Sequence, residues 1–424
     1  MDIELITIGN ELLLGQVLDT HQQWLGQRLA ERGRILSRQL TVPDEGESIC
    51  GAVQVAMSRS RLVITTGGLG PTSDDLTRGL LADFFGRPLS RDAAVEAHIE
   101  DYFRKRNRSM PDSVLVQAQV PKDAVVFPNL HGTAPGLGIK LSPNPFGTNV
   151  DPAWLIMLPG PPRELRPMFA EQVLPFLEKN FPLEQEFHHR ILRSLGIGES
   201  MVEEKLKDVI RPFLDRGLEL GYCARIGQVD IRLSGSGPDM PIVIAEAETV
   251  VRKAIGKHIY GIDGQTIAQA VVERLIAIGE TVAVAESCTG GLLGHQITNV
   301  PGASAVFAGG VLSYSNAMKE KLLGVNASIL SKDGAVSKSV AIEMAEGVLE
   351  ASCADHALSI TGIAGPTGGS PEKPVGTVWL GLASKGCRSI AIRKFHPFGR
   401  ESFKNATVNY ALNMLLRRLN KTAK

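Results

Sequence analysis

The chain has 424 residues, more than one ordinary domain holds, so about two or three domains are expected. Hydrophobic residues make up 43% and charged residues 21%, a mix that excludes a largely disordered chain. The 45 basic residues balance the 45 acidic ones, so no bulk field exists to hold nucleic acid or an anionic membrane. Direct nucleic-acid binding is therefore not expected. Cys50, Cys223, Cys288, Cys353 and Cys387 are scattered and form no CxxC pair. That argues against a disulfide framework or a structural zinc and for a reducing cytoplasm. The start, MDIELITIGN, has neither the basic opening nor the apolar core of a signal peptide.

In chain order, Ile3 to Ile8 reads as a strand. Thr20 to Arg32 reads as a helix, with Trp24, Leu25 and Leu29 at helical spacing. Arg61 to Thr66 and Trp154 to Leu158 read as buried strands, and Pro143, Asn144, Pro145 and Gly147 mark an inserted loop. Strands alternating with helices predict a largely parallel sheet covered on both faces, hence a three-layer α/β domain over about 1–170. Its ligand loops follow strand ends: GNE, GGLGPTSDD and PGPPREL.

From 171 to 262 the order is β-α-β-β-α-β: Glu186 to Ser194, Ser200 to Ile210, Leu218 to Tyr222, Gln228 to Ser234, Pro241 to Lys257 and His258 to Gly261. This predicts a small α+β domain of the split βαβ, KH- or ferredoxin-like sort, with no catalytic cluster. It reads as a spacer or interaction module.

A second α/β domain is expected over 263–424. Helices are predicted at Gln265 to Ile278, Ser339 to Ser352 and from Arg400 onward. Strands are predicted at Thr281 to Ala285, Val306 to Ser313, His356 to Ile360, Thr377 to Ala383 and Arg388 to Phe395. Ser287 to Met318 carries no Asp, Glu, Lys or Arg. Its Gly, Ser, Thr, Asn and Pro content argues against a membrane span, which needs about 20 mostly apolar residues. It reads instead as a buried, substrate-facing region.

Four features of this third domain carry chemistry. AESCTGG, Ala285 to Gly291, places Ser287 at a strand-to-helix turn, beside N–H groups suited to an oxyanion. The plain alternative is a Ser/Thr cap followed by flexible glycines. YSNAMK, Tyr314 to Lys319, offers Asn316 as an N-cap, with Lys319 in the first helical turn. The helix dipole opposes a cation there by only about 0.3–1 kcal/mol, so desolvation must supply most of what a lysine base requires. The alternative is a solvated lysine. The loop Thr361 to Thr377 holds five glycines and three prolines, and its backbone can approach phosphate or ribose. Arg400, opening the last helix, suits a phosphate or plain solvation.

Together these segments resemble the C-terminal domain of the CinA (competence/damage-inducible) family, whose stand-alone relatives are nicotinamide-nucleotide amidases. The match over about Gln265 to Leu419 rests on AESCTGG, VPGASAVFAGGVLSYSNAMK, GAVS, ADHALSITGIAGPTGG and PEKPVGTVW. The resemblance implies that Ser287 is the nucleophile attacking nicotinamide mononucleotide and Lys319 its base, with no cofactor. It maps Ser304, Tyr314, Thr361 and Arg400 onto the substrate site. Tyr314 is expected to orient the lysine or relay a proton. N–H groups from Cys288 through Thr289 to Gly290 are expected to hold the oxyanion. Cys288 is the rival nucleophile, because thiols are intrinsically better.

In the first domain, TTGGLGPTSDDLT runs from a buried strand through a glycine loop containing Thr72 to a helix start. The loop suits a phosphate, and Asp74 or Asp75 suits a divalent metal. Residues Ser73 to Asp75 are also good helix starters, so one carboxylate is expected to cap and the other to serve the ligand. This loop, with IGNELLLGQVLDT and MLPGPPRELRPMF, resembles the molybdopterin-binding domain family over about Met1 to Phe169. CinA proteins carry a metal-dependent ADP-ribose pyrophosphatase activity there. The resemblance implies that Asn10, Glu11, Gly67, Gly68, Gly70, Asp74, Asp75, Gly160 and Glu164 lie near that ligand. Asn10 stands where many relatives carry Asp. Rival readings are a pterin-binding protein without catalysis and a scaffold in DNA uptake or damage response. A homodimer is expected, since two-fold dimers are the commonest assembly.

Overall fold

The computed structural model describes residues 2–147, 152–183 and 186–421. Positions 148–151, after the expected inserted loop at Pro143 to Gly147, lie outside the described residues. The chain forms two compact units, Met1–His188 with Ser236–Pro238, and His189–Gly235 with Asp239–Lys424.

The first unit runs β1 (Ile3–Ile8), α1 (Asn10–Leu13), α2 (His21–Ala30), β2 (Leu36–Val42), α3 (Gly46–Met57), β3 (Leu62–Thr66) and α4 (Thr77–Phe84). A small ribbon, β4 (Leu89–Arg91) with β5 (Gln119–Pro121), brackets α5 (Ala93–Arg104). Then come β6 (Val125–Phe127), β7 (Gly136–Leu141), β8 (Ala153–Leu158), α6 (Pro162–Met168) and α7 (Leu174–Asn180). The sheet order is β2-β1-β3-β8-β7-β6. Strand alternation sends Ile6, Ile8, Val63, Leu155 and Met157 into one apolar layer and Ile3, Leu5, Ile64, Ile156 and Leu158 into the other. That yields the expected three layers.

The sheet is mixed rather than largely parallel, because β7 runs antiparallel to both β6 and β8. The segment joining β7 to β8 carries no helix among its described residues, whereas a parallel return needs a long crossover. The core of this unit continues past position 170, through Val173, Leu177 and Phe181.

The second unit begins inside β9 (Phe187–Leu195) and continues with α8 (Glu199–Leu214), β10 (Glu219–Arg225), β11 (Gln228–Ser236), α9 (Met240–Ile255) and β12 (Ile259–Ile262). The order β10-β11-β9-β12 puts the first and third strands in the middle, the expected split βαβ arrangement. Val202, Leu206 and Ile210 of α8 and Val243, Ala247 and Val251 of α9 recur at helical spacing and cover Val229, Ile231 and Leu233 of β11.

Beyond it lie α10 (Ile267–Ile278), β13 (Val282–Glu286), α11 (Leu292–Thr298), β14 (Phe307–Leu312), α12 (Asn316–Leu323), α13 (Ala327–Asp333) and α14 (Lys338–Ser352). The chain finishes with β15 (His356–Gly362), β16 (Thr377–Ser384), β17 (Cys387–Phe395) and α15 (Arg400–Leu419). A Thr266/Gln269 capping box starts α10, and Gly279, at φ 70°, stops it. The sheet order is β14-β13-β15-β16-β17; the first three strands are parallel and the last two antiparallel. One face packs residues of α10, α11 and α15, the other residues of α13 and α14. From β13 the chain crosses to β14 on one side, and from β15 it turns to β16 on the other. The β13/β15 boundary is therefore a switch point, where such sheets open a crevice beyond their C-terminal strand ends. Among the described residues no helix is long and apolar enough to cross a membrane.

Candidate active site

Ser287 immediately follows β13, and its N–H donates to the Ile360 carbonyl at 3.1 Å, extending the β13–β15 ladder by one residue. Alternation then decides its neighbours. Ala283 and Ala285 face the α14 layer, and Ser287 continues that series. Cys288 falls on the opposite face, inside the cluster with Leu293, Val408 and Leu412. Burial pushes the Cys288 thiol up to about 12, so it holds no thiolate near neutrality.

Lys319 comes from α12 and is 1% exposed. The cap of α12 is Ser315, not Asn316: the Ser315 hydroxyl accepts the Met318 N–H at 3.3 Å, and Asn316 is the first helical residue. Ser315 has the extended backbone that a cap requires. Lys319 still lies in the first turn, its N–H bonded to the Ser315 carbonyl. Its Nζ is 2.6 Å from the Ser313 carbonyl, 3.3 Å from the Tyr314 carbonyl and 3.1 Å from Ser287 Oγ. A neutral amine has two N–H groups and one lone pair. The two carbonyls can only accept, so the lone pair is left for the Ser287 hydroxyl. Burial drives the Lys319 pKa down, and no carboxylate pairs with it among the described residues.

The turn after Ser287 supplies donors. Gly290 N–H closes back on the Ser287 carbonyl at 3.2 Å, and Gly291 N–H goes to Glu286. The N–H groups of Cys288 and Thr289 have no acceptor among the described residues. Of the expected trio, Gly290 N–H is thus already engaged, and those of Cys288 and Thr289 are the ones left to face a ligand. Gly290 and Gly291, at φ 62° and 96°, allow a bend that residues with a Cβ rarely adopt.

Glu286 was not foreseen from the sequence. It is 1% exposed, and its carboxylate accepts N–H bonds from Gly291 at 3.1 Å, Leu293 at 3.1 Å and Gly294 at 2.9 Å. It pins the start of α11 to the residue before Ser287. The signal was an acid one position ahead of Ser287, at the junction of strand and helix.

The other expected site residues divide. Arg400 donates to the Gly365 carbonyl at 2.8 Å and reaches the Tyr314 hydroxyl at 3.5 Å, so it joins the glycine loop to the rim beside Lys319. Tyr314 is 66% exposed, and it is its carbonyl, not its phenol, that bonds the lysine. Thr361 is buried at the end of β15, and its hydroxyl donates to the Ala335 carbonyl at 2.8 Å. Ser304 is a correction. It precedes β14, beside the start of β13, while Ser287 follows the end of β13. Five residues of strand, roughly 16 Å, separate those two ends. Ser304 therefore lies outside the crevice formed by its own chain.

In the first unit, a cavity of about 570 Å³ lies beyond the ends of β1, β3 and β8. Glu11, Gly67, Gly68, Gly70, Asp74, Asp75, Gly160 and Glu164 line it; Asn10 and Thr72 do not. Gly67 has φ 105°, and a Cβ there would meet the Ile8 carbonyl oxygen at 2.4 Å. Helix α4 begins only at Thr77, so Asp74 and Asp75 sit in the preceding turn rather than starting the helix. Asp75 accepts the Thr72 N–H at 3.0 Å and its hydroxyl at 2.5 Å, which fixes the loop; Asp74 is exposed. Among the lining residues not foreseen are Asp44 and His21. Asp44 accepts the Asn10 N–H at 2.8 Å, and His21 bonds the Gly160 carbonyl through Nε2 at 2.7 Å. Glu164 is held by Asn129 at 2.9 Å. Among the described residues no three His, Cys, Asp or Glu side chains converge to cage a metal. The exposed carboxylates fit only an ion shared with a ligand's phosphates, as magnesium commonly is.

Comparison with known proteins bears on both sites. The CinA-like protein of Kosmotoga olearia is 43% identical over 425 residues, covering 99% of each chain. That of Akkermansia muciniphila is 42% identical over 415 residues, covering 98% of this chain and 96% of its own. The chain belongs to the CinA family. The CinA C-terminal domain model matches residues 264–419, the damage-inducible protein CinA KH domain model 189–261, and the "Probable molybdopterin binding domain" model 4–179. The solved competence/damage inducible protein CihA from Agrobacterium tumefaciens is 41% identical over 36% of this chain and 93% of its own, with a TM-score of 0.35. Ser287, Lys319, Thr361 and Arg400 all fall within the CinA C-terminal match, and the Gly67–Gly70 loop within the molybdopterin-binding match.

Proposed function

We propose that the C-terminal domain of this CinA-family chain hydrolyses the carboxamide of nicotinamide mononucleotide. The observation that carries this is the Lys319 amine, buried, held by two carbonyls and 3.1 Å from Ser287 Oγ. Lys319 takes the Ser287 proton as Oγ attacks the carboxamide carbon. The oxyanion is received by the N–H groups of Cys288 and Thr289. The tetrahedral adduct collapses, the C–N bond breaks, and the Lys319 ammonium returns its proton to the departing nitrogen, which leaves as ammonia. Water then attacks the acyl-enzyme with Lys319 again as base, releasing nicotinate mononucleotide and restoring Ser287. Arg400 supplies positive charge at the crevice mouth for the substrate phosphate.

Ammonia release from nicotinamide mononucleotide tests the reading. Ser287→Ala is expected to abolish it while substrate binding persists, and Cys288→Ala to leave substantial rate. Full activity in Ser287→Ala, or loss confined to Cys288→Ala, refutes the serine assignment.

A second reading concerns the first unit: hydrolysis of ADP-ribose to AMP and ribose phosphate. It rests on the glycine-walled cavity with exposed carboxylates. Gly67, Gly68 and Gly70 let backbone approach the pyrophosphate, and the exposed Asp74 carboxylate is the residue that would share a divalent ion with the ligand's phosphates. When bound, that ion would neutralise phosphate charge.

A further inference from the structure

A second cavity, of about 520 Å³, lies where the split βαβ module meets the C-terminal domain, away from Ser287. That volume is within the range of small-molecule sites. Strands β9, β11 and β12 contribute Arg193, Gln228 and Tyr260; helices α10, α11 and α15 contribute Gln269, Gln296 and Asn409.

The chemistry of its wall is narrow. No carboxylate lines it. Its one guanidinium is engaged: Arg193 Nε lies 3.2 Å from Asp230 Oδ1, and Nη1 donates to the Gln265 carbonyl at 3.2 Å. A phosphate would have to compete with Asp230 for that charge. What remains are side-chain amides with unspent capacity. The Gln228 amide, in a residue only 9% exposed, accepts one long bond from the Tyr260 hydroxyl at 3.5 Å and donates to nothing among the described residues. The Gln296 and Asn409 amides have no hydrogen-bond partner among the described residues. Gln269 spends its oxygen on the Thr266 N–H at 2.7 Å, leaving its NH2. The Tyr260 ring stands beside them, with Arg193 Cζ 5.8 Å from its centroid.

A side-chain amide presents one donor and one acceptor in a plane, the pattern that pairs with the edge of a nucleobase. Aromatic and guanidinium planes are what unpaired bases stack on. From this combination we infer that the cavity is a site for an uncharged nucleobase or nucleoside. Two of its walls lead to the amidase crevice. Gln296 sits on α11, whose start is bound by Glu286, and Asn409 sits on α15, whose first residue is Arg400.

The test is calorimetric titration of the full-length chain with adenosine, guanosine, cytidine and uridine separately, and with ribose. One nucleoside is expected to bind saturably at one per chain. Gln296→Leu and Asn409→Ala, both at half-buried positions, should each weaken it at least tenfold while melting as the parent does. No saturable binding by any of the four overturns the inference, as does binding left within twofold in both variants. Ribose binding as tightly as the nucleoside overturns the base assignment. The readout is binding, so it stands or falls independently of turnover at Ser287.

Discussion

Replacing Glu286 with Gln changes one heavy atom in the residue before Ser287, the proposed nucleophile, and isolates what the buried carboxylate does. In the native structure Oε2 accepts from both Gly291 and Leu293, while Oε1 accepts from Gly294. An amide keeps one oxygen, so the best rotamer retains the pair on Oε2 and turns an NH2 toward the Gly294 N–H. That leaves one buried donor unsatisfied, at about 1–3 kcal/mol. The loss of negative charge at the start of α11 adds about 0.3–1 kcal/mol. A total of roughly 1–4 kcal/mol lowers the melting temperature of a domain this size by several degrees. The larger consequence is positional. The residues between Glu286 and Gly291 carry Ser287 and the N–H groups of Cys288 and Thr289. A turn released at one end loses the alignment that makes an oxyanion site worth about a hundredfold or more in rate. The assay is steady-state ammonia release alongside thermal melting. The Gln variant is expected to lose kcat at least tenfold with KM little changed. If kcat stays within twofold while the melting temperature drops, Glu286 is only a helix cap and the positioning argument fails.

The remaining predictions concern charge. Lys319 acts as a base only when neutral, and burial lowers its pKa, so activity should fall as pH drops through that lowered value. Between the lowered folded pKa and the ordinary lysine value, the unfolded chain binds the extra proton. Stability therefore rises with pH across that window and is lowest below it. Lys319→Met should be inactive yet melt higher than the parent at low pH, with the gap closing as pH rises; Lys319→Arg should be inactive because arginine stays charged. Activity that does not fall as pH is lowered, or an active Arg variant, contradicts the assignment. In the first unit, Asp75→Ala should disorder the Gly70–Thr72 loop and weaken ADP-ribose binding, because Asp75 holds Thr72 twice. Asp74→Ala should leave the fold intact and lower hydrolysis only, measured as AMP release at saturating divalent metal. Unchanged hydrolysis in both variants places the site elsewhere.

Local chemistry was legible in the sequence wherever one segment carries it. The strand-turn-helix at Ser287, the split βαβ order and the first-turn position of Lys319 each depend on residues near in sequence. What stayed hidden depends on register. Cys288 and Ser287 are adjacent letters, and only the ladder to Ile360 assigns them to opposite faces. Ser304 lies 17 positions from Ser287, yet the parallel pairing of β13 with β14 carries it to the other end of the sheet. Asp44 follows β2, an edge strand whose mixed exposure gave no strand pattern, so its approach to the glycine loop could not be anticipated. Choosing Asn316 over Ser315 as a cap is a shift of one residue between two good cap formers, which the extended ψ of Ser315, 160°, settles.

Helix α15 is a rigid arm with cargo at both ends. Its 20 residues span about 30 Å. At one end Arg400 reaches the glycine loop and Tyr314; near the other, Arg417 donates to the Lys257 carbonyl of the split βαβ module at 3.1 Å. An arm of that length tilting by only about 3° around its far end would sweep Arg400 through about 1.5 Å. Misplacement of about 1 Å costs a reacting geometry on the order of a hundredfold. The small module thus holds one end of the helix whose other end carries Arg400: under the proposed amidase reading, a change that loosens that hold is expected to lower turnover with every residue around Ser287 intact.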